Sequence, residues 1–455
     1  MTKYKIQNPY NNELLSEIEY SSEEQVLSAL TLLEVGKKIQ SDLPPFERSN
    51  ILHKLADLLK RDKEKIAQQI TLEMGKTITD SLVEVDRAIA TAIYAAQEAI
   101  RIKGETVNTD AFAPKRDKTA IIQKFPIGIV LAITPFNFPV NLAVHKIAPA
   151  FAAGNCILFK PGPQNYLSGK MLTDLCHEAG FAKEIIQIVN PDIPVMSMLT
   201  AHPSINCVSF TGGVVAAKAI AKNAILKKQL FELGGNDPLI LMEDGDLELA
   251  VKTAINMRFG TAGQRCTAAK KVFIHNSQYE QFKKRLVEEA GKLVVGDPMK
   301  KETFIGPVVN AKAAEIVFSR IQNAIAEGAK PLLGNKRDGN IIYPTILENV
   351  SKKSELICDE TFGPVIPLMT FNDIDDVLAE LRLSSFGLQA GIFTNNLAVI
   401  KKVYQELEVG AVIVNDGPGF RAEHLPFGGM KESGLGREGV AYAMEAMSVI
   451  KTLIL

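Results

Sequence analysis

Residues 127–139 read Ile-Gly-Ile-Val-Leu-Ala-Ile-Thr-Pro-Phe-Asn-Phe-Pro, an apolar run of β-type side chains that stops at a turn bracketed by Pro135 and Pro139. A short run of this kind, closed by a turn signal, predicts a buried strand. Working outward, the same texture returns at 156–159, 185–189, 207–210 and 239–242, with helical segments between. Strands alternating with helices predict a parallel sheet covered on both faces. A second series follows, with strands at 271–275, 365–371, 389–393 and 411–414 and helices at 277–293, 312–327 and 396–407. Two α/β lobes are therefore expected. Upstream, Ile51, Leu55, Leu58 and Leu59 fall at helical spacing after Pro44 and Pro45, which predicts one amphipathic surface helix over 47–70.

The 455 residues suggest about three structural units at roughly 150 residues per domain. Lys and Arg number 51 against 52 Asp and Glu, a net charge of −1, so no basic surplus exists to neutralise nucleic acid or an anionic membrane. The N-terminus has no apolar stretch of signal-peptide length, and a cytoplasmic protein is expected. Five cysteines, at 156, 176, 207, 266 and 358, form no CxxC pair, so a cysteine that matters here matters as a thiol. No metal is expected.

Five positions carry chemical potential. Cys266 follows Gly260, Gly263 and Arg265, a setting in which backbone approaches a ligand closely and a guanidinium favours thiolate. Cys156, Cys176 and Cys207 lie in apolar strands or a helix and read as buried hydrophobes, while Cys358 sits in a loop with a weaker signal. Glu232 ends an apolar strand before Leu233 and two glycines, where a carboxylate facing a cleft activates water or merely caps amides. Asn137, held by flanking prolines, offers an amide to an oxyanion or satisfies its own turn. Thr211-Gly212-Gly213 opens a helical segment, a geometry suited to a pyrophosphate, and Lys160 ends the strand at 156–159.

Seven segments, in order, carry a family resemblance: TPFNFP at 134–139, LFKP at 158–161, FTGG at 210–213, FELGGNDP at 231–238, GQRCTA at 263–268, ETFGPV at 360–365 and LPFGGMKESGLGRE at 425–438. Together they resemble the aldehyde dehydrogenase superfamily over nearly the whole chain. The resemblance implies that Cys266 is the nucleophile, Glu232 the general base and Asn137 an oxyanion donor. It places Lys160 and Glu360 on cofactor riboses, Phe362 beside a nicotinamide, and Gly213 near the pyrophosphate, with Thr134, Phe136 and Leu233 also on the cofactor. The fold it implies is a Rossmann-like NAD(P)-binding domain (1–107 and 125–231), a catalytic domain (232–435) and a small β oligomerisation element (108–124 and 436–455) in a homodimer or homotetramer.

Departures from the pattern matter as well. Gly213 stands where many members have Ser, and Ala217 where many have Gly. Pro163 stands where many NAD-preferring members carry a Glu, which removes repulsion against a 2′-phosphate and leaves NAD and NADP both open. His145 stands where many members place a bulky aromatic on the substrate tunnel, Arg265 directly precedes the nucleophile, and Arg101 and Arg421 match arginines that line the anion end of the site in branches acting on lactaldehyde-like, phosphonate, sulfonate or phosphate-bearing aldehydes, so that four donors are expected on one small pocket. The expected substrate is a small polar or anionic aldehyde of the lactaldehyde or sulfolactaldehyde kind. Succinate semialdehyde, glyceraldehyde 3-phosphate and a broad specificity are the alternatives. Glu232 argues against a coenzyme A-acylating enzyme, and the intact set of Cys266, Glu232, Asn137 and Lys160 argues against a member without turnover.

Overall fold

The computed structural model describes residues 3–110 and 118–455. The run that opens the sequence argument forms the strand Ile129–Ile133, buried at every residue. Its side chains alternate between two cores, as the period of a strand requires. Val130 and Ala132 face helices Pro45–Arg61, Ile78–Ala99, Asn141–Ala152 and Tyr166–Ala179, while Ile129, Leu131 and Ile133 face helices Glu23–Asp42 and Val214–Asn223. Burying each such aliphatic side chain contributes about 1.5–3 kcal/mol, so a one-residue slip, which exchanges the two cores, is strongly disfavoured.

The six-stranded sheet of this lobe runs Gly434–Leu435, Lys228–Glu232, Ile205–Thr211, Ile129–Ile133, Cys156–Lys160, Ile186–Ile188, parallel except for the antiparallel edge Gly434–Leu435. The chain moves outward on one side of Ile129–Ile133 and then returns to its other side, which makes a switch point between Ile129–Ile133 and Ile205–Thr211. Ligands bind at the carboxyl ends of strands at such points. Register places Ile133 against both Lys160 and Phe210, and Thr211 against Glu232, so all these strand ends lie on one side of the sheet.

The second lobe has seven strands in the order Lys330–Leu333, Thr345–Glu348, Val365–Phe371, Lys271–His275, Pro238–Leu241, Gln389–Phe393, Ala411–Val414, with only Lys330–Leu333 antiparallel. It is doubly wound in the same way: Leu239 and Leu241 enter one core, Ile240 and Phe273 the other. A third sheet is antiparallel and pairs Ser448–Ile454 with Thr119–Pro126 and that strand with Glu105–Asn108. Among the described residues no helix is long and apolar enough to cross a membrane, and no three acidic, His or Cys side chains could hold a metal.

Three expectations are corrected. The helix over 47–70 is two helices, Pro45–Arg61 and Lys63–Met74, because Asp62 leaves helical geometry (φ −100°, ψ 14°) while its carboxylate takes the Arg61 guanidinium. The first of them is no mere surface element, since Leu52, Leu55 and Leu59 lie in the principal core. The unit boundaries at 107 and 435 also shift. Glu105–Asn108 belongs to the small sheet, Gly434–Leu435 to the first lobe's sheet, and helix Val440–Ala446 packs Val440 and Met444 into the first lobe's core. Residues 111–117 of the expected oligomerisation segment lie outside the described residues. The hairpin Lys3–Gln7 with Leu14–Glu19 is a further element that the sequence patterns left unread.

Candidate active site

A cavity of about 490 Å³ opens where the strand ends of the first lobe meet the second, and Asn137, Glu232 and Cys266 all line it. Each reaches it from a turn that follows a buried element. Asn137 comes from the proline-bracketed turn after Ile129–Ile133, Glu232 from the end of Lys228–Glu232, and Cys266 from the segment after helix Leu247–Phe259 and the turn Gly260–Gly263.

The turn before Cys266 is strained. Thr261 and Ala262 both have positive φ (55° and 52°), as does Gly263 (74°), where an added Cβ would lie 2.3 Å from the Gly363 carbonyl oxygen. Backbone held in this region by non-glycine residues costs about 1–3 kcal/mol per residue and persists only when its surroundings hold it. Asp80, on helix Ile78–Ala99, does the holding: one carboxylate oxygen accepts from Thr261 N at 3.0 Å and Thr261 Oγ1 at 2.8 Å. One turn along the same helix, Glu84 Oε1 accepts from Val140 N at 2.9 Å and Asn141 N at 3.1 Å, and Glu84 Oε2 pairs with Lys76 at 2.5 Å. A single helix thus grips both the Asn137 turn and the Cys266 turn. Asn137 Nδ2 donates to the Gln264 carbonyl at 2.9 Å, and Gln264 Oε1 in turn accepts from Val309 N at 2.9 Å, which orients the amide beside the thiol.

Burial pushes the Cys266 thiol up to about 12, with Lys270 and then Arg421 pulling down against it. The expectation that Arg265 favours the thiolate is therefore corrected, because its guanidinium is turned onto Asp80 and Thr261. Cys156 and Cys207 are also pushed up to about 12 by burial, so what sets Cys266 apart is its place on the cavity. Lys270, itself buried, donates to the Cys266 carbonyl and pairs with Glu360 Oε1 at 2.9 Å.

Glu232 is raised well above the usual carboxylate range, first by burial and then by Glu438, and its Oε2 is buried without a partner. Glu438 is held low against its own burial by Lys146 at 2.7 Å and Arg421 at 3.1 Å.

Toward the other end lie Phe136, Gly213, Leu233, Glu360 and Phe362. Phe136 and Phe362 meet edge to face at 6.1 Å. Gly213 caps helix Val214–Asn223 with no side-chain bond, and a Cβ there would meet nothing within 4 Å. Lys160, half-buried at its strand end and not among the residues that line the cavity, has no partner for its ammonium among the described residues, and burial pulls that ammonium down to about 8. Thr134 Oγ1 and Thr211 Oγ1 are likewise buried and unpartnered. An unpaired ammonium, orphaned hydroxyls and an open helix N-terminus fit a phosphorylated, hydroxyl-rich ligand.

Two of the expected substrate residues are misplaced. Arg101 does not reach the cavity; it is exposed and pairs with Glu98 at 2.8 Å, because it lies past the end of helix Ile78–Ala99. His145 is fully buried behind the wall, with Nε2 at 2.6 Å from Glu423 Oε2. Arg265 and Arg421 do line the cavity, and so does Arg87, which the sequence reading missed. Arg87 looks like one more charge on an amphipathic helix, and Glu438 stood inside a quoted motif without a role of its own.

Residues 1–453 match the family model described as aldehyde dehydrogenase family. The chain is similar to the sulfoacetaldehyde dehydrogenase of Neptuniibacter caesariensis, 52% identical over 452 residues and 99% of each chain. It is similar to the 3-sulfolactaldehyde dehydrogenase of Priestia aryabhattai, 38% identical over 454 residues, 100% of this chain and 95% of the other. A solved glyceraldehyde-3-phosphate dehydrogenase from Methanocaldococcus jannaschii, complexed with NADP, superposes with a TM-score of 0.95 at 37% identity, covering 99% of this chain and 98% of that one. With the match running from the first hairpin to the last strand, the chain belongs to the aldehyde dehydrogenase family, whose enzymes are NAD(P)-dependent oxidoreductases.

Proposed function

We propose that this enzyme oxidises a short anionic aldehyde of the sulfoacetaldehyde or sulfolactaldehyde kind to its carboxylate. The observation that carries the reading is the convergence of Arg87, Arg265 and Arg421 on the cavity that Cys266 lines. Guanidinium groups suit a planar or tetrahedral oxyanion. The relatives named for sulfonated aldehydes support the same substrate class.

The Cys266 thiol gives up its proton to solvent through the open cavity, and its Sγ forms a bond to the aldehyde carbon as the carbonyl π pair moves onto oxygen. The resulting alkoxide is held by Asn137 Nδ2 and the Cys266 backbone N–H, donors worth about 3–4 kcal/mol each. NAD(P)+, when bound, supplies the acceptor for the hydride that leaves this carbon. Lys160, Thr134, Glu360, Gly213, Leu233 and the Phe136–Phe362 pair are the residues that would hold it. The acyl group left on Cys266 is released by water whose proton passes to Glu232, and the carboxylate departs with the thiol restored. Lys160 without a counter-ion, and Pro163 where a carboxylate would repel a 2′-phosphate, favour NADP.

The exposed Ile450, Leu453 and Ile454 on the edge strand Ser448–Ile454 suit pairing between subunits of a homodimer or homotetramer. Five free cysteines suit a reducing compartment such as the cytoplasm.

The test is kcat/KM with NADP and NAD across sulfoacetaldehyde, 3-sulfolactaldehyde, lactaldehyde, succinate semialdehyde, glyceraldehyde 3-phosphate and hexanal. A sulfonated aldehyde should lead, and should lose most of its lead in Arg87→Ala and Arg421→Ala. Equal use of hexanal would refute the anionic substrate.

A further inference from the structure

We infer that Glu423 sets the charge accepted at the arginine end of the cavity, admitting a monoanion and resisting a dianion; the inference rests on the reading of that end as an anion site. Glu423 stands behind two arginines that line the cavity. Its Oε1 accepts from Arg87 Nε at 2.7 Å, its Oε2 from His145 Nε2 at 2.6 Å, and Arg421 Nε lies 3.8 Å from Oε2. Glu438 takes the far side of Arg421 together with Lys146, and Asp80 faces Arg265 at 3.4 Å.

These contacts fix a charge balance. Burial, and then Arg421, hold the His145 imidazole below its ordinary value against the pull of Glu423 and Glu438, and its Nε2 keeps Glu423 Oε2 in place at 2.6 Å. The neighbouring Lys76–Glu84 pair cancels itself. Around this end Arg87, Arg265, Arg421 and Lys146 stand against three carboxylates, Asp80, Glu423 and Glu438, so most of the cationic charge there is already matched before a ligand enters. The geometry also leaves a donor for a ligand, since Arg87 Nη2 is buried without a partner. A sulfonate brings one negative charge, whereas a phosphate monoester brings about −1.5 to −2 at neutral pH. The second charge of the phosphate adds repulsion against Glu423 and Glu438, the carboxylates that already hold Arg87 and Arg421.

The experiment measures kcat/KM for sulfoacetaldehyde and for glyceraldehyde 3-phosphate in the full-length wild type and in Glu423→Gln. The ratio within each protein is the readout, so a general loss of activity cancels. The sulfonate-to-phosphate ratio should fall by about tenfold or more in the variant, since removing one like charge is worth at least that factor. An unchanged ratio overturns the role of Glu423. A wild type that uses neither anionic aldehyde better than hexanal overturns instead the anion-site reading on which it rests.

A second measurement needs no variant. Methyl phosphate and methanesulfonate are compared as competitive inhibitors of the wild type below and above the second phosphate pKa of about 6. Methyl phosphate should weaken relative to methanesulfonate by about tenfold as it becomes a dianion. A constant ratio of the two inhibition constants counts against the inference.

Discussion

At one end of the cavity each arginine already holds a carboxylate, Arg87 with Glu423, Arg265 with Asp80 and Arg421 with Glu438. Toward the other, Lys160 is half-buried with no partner among the described residues, and the Gly213 turn opens on empty space. The paired end is preorganised: its side chains are held in place before substrate arrives, so binding there costs little ordering and discriminates by charge and shape. The unpaired end carries a desolvated ammonium whose stabilisation waits for a ligand. The first arrangement suits selection among small aldehydes, and the second suits a large anionic cofactor that brings its own charge.

The comparison breaks most completely between the two ends, at Cys266. Cys266→Ala should lower turnover by on the order of 10⁵-fold or more while cofactor binding, followed by fluorescence of the reduced nucleotide, persists. Retained oxidation would remove the thiol from the chemistry. Next in size, Asn137→Ala should lower kcat by about 10²–10³ with little change in KM, because its amide contributes to an alkoxide that only forms in the reaction. A change confined to KM would instead make Asn137 a binding residue.

Lys160→Met sharpens the contrast at the unpaired end. It should raise KM for NADP about tenfold, the loss of one charge-assisted bond, while KM for the aldehyde stays near its wild-type value. The same group gives a pH signature of known sign. Its ammonium titrates at about 8 in the unliganded protein, so KM for NADP should rise above that pH in the wild type and not in Lys160→Met. Because the folded value lies below the ordinary 10.5, the unfolded chain binds the extra proton between the two. Stability without cofactor should therefore increase through that window, by at most about 1.4 kcal/mol per pH unit. Thermal melts of the two proteins across this range test it, and parallel curves would deny Lys160 its buried charge. The smallest effect tests the paired end by its outsider: Arg101→Ala should leave kcat/KM for every aldehyde within about twofold, since its exposed pair with Glu98 contributes little. A large loss would mean that the anion end extends beyond this cavity.

The strands and the three central residues were legible because their signals are local. Lys271–His275, Val365–Phe371, Gln389–Phe393 and Ala411–Val414 appear in the structure at the bounds read from the sequence, the first three because a short apolar run is buried on both faces of the sheet, the last as a half-exposed edge strand that its β-branched residues still mark. Asn137, Glu232 and Cys266 stand at strand ends or glycine turns whose residue types mark the position. The N-terminal hairpin was not legible, for its exposed, charged strands carry no such run.

The sequence by itself determined the two doubly wound lobes, the family and the residues that stand at the ends of strands, because each depends on neighbours along the chain. Only the tertiary structure decided which charges meet. Arg87 and Glu423 are 336 positions apart, and nothing local distinguishes Arg87, held over the cavity by a helix face, from Arg101, released to solvent past the helix end. Electrostatic pairing acts through space, so the charge that the cavity accepts is a property of the fold and not of any one segment.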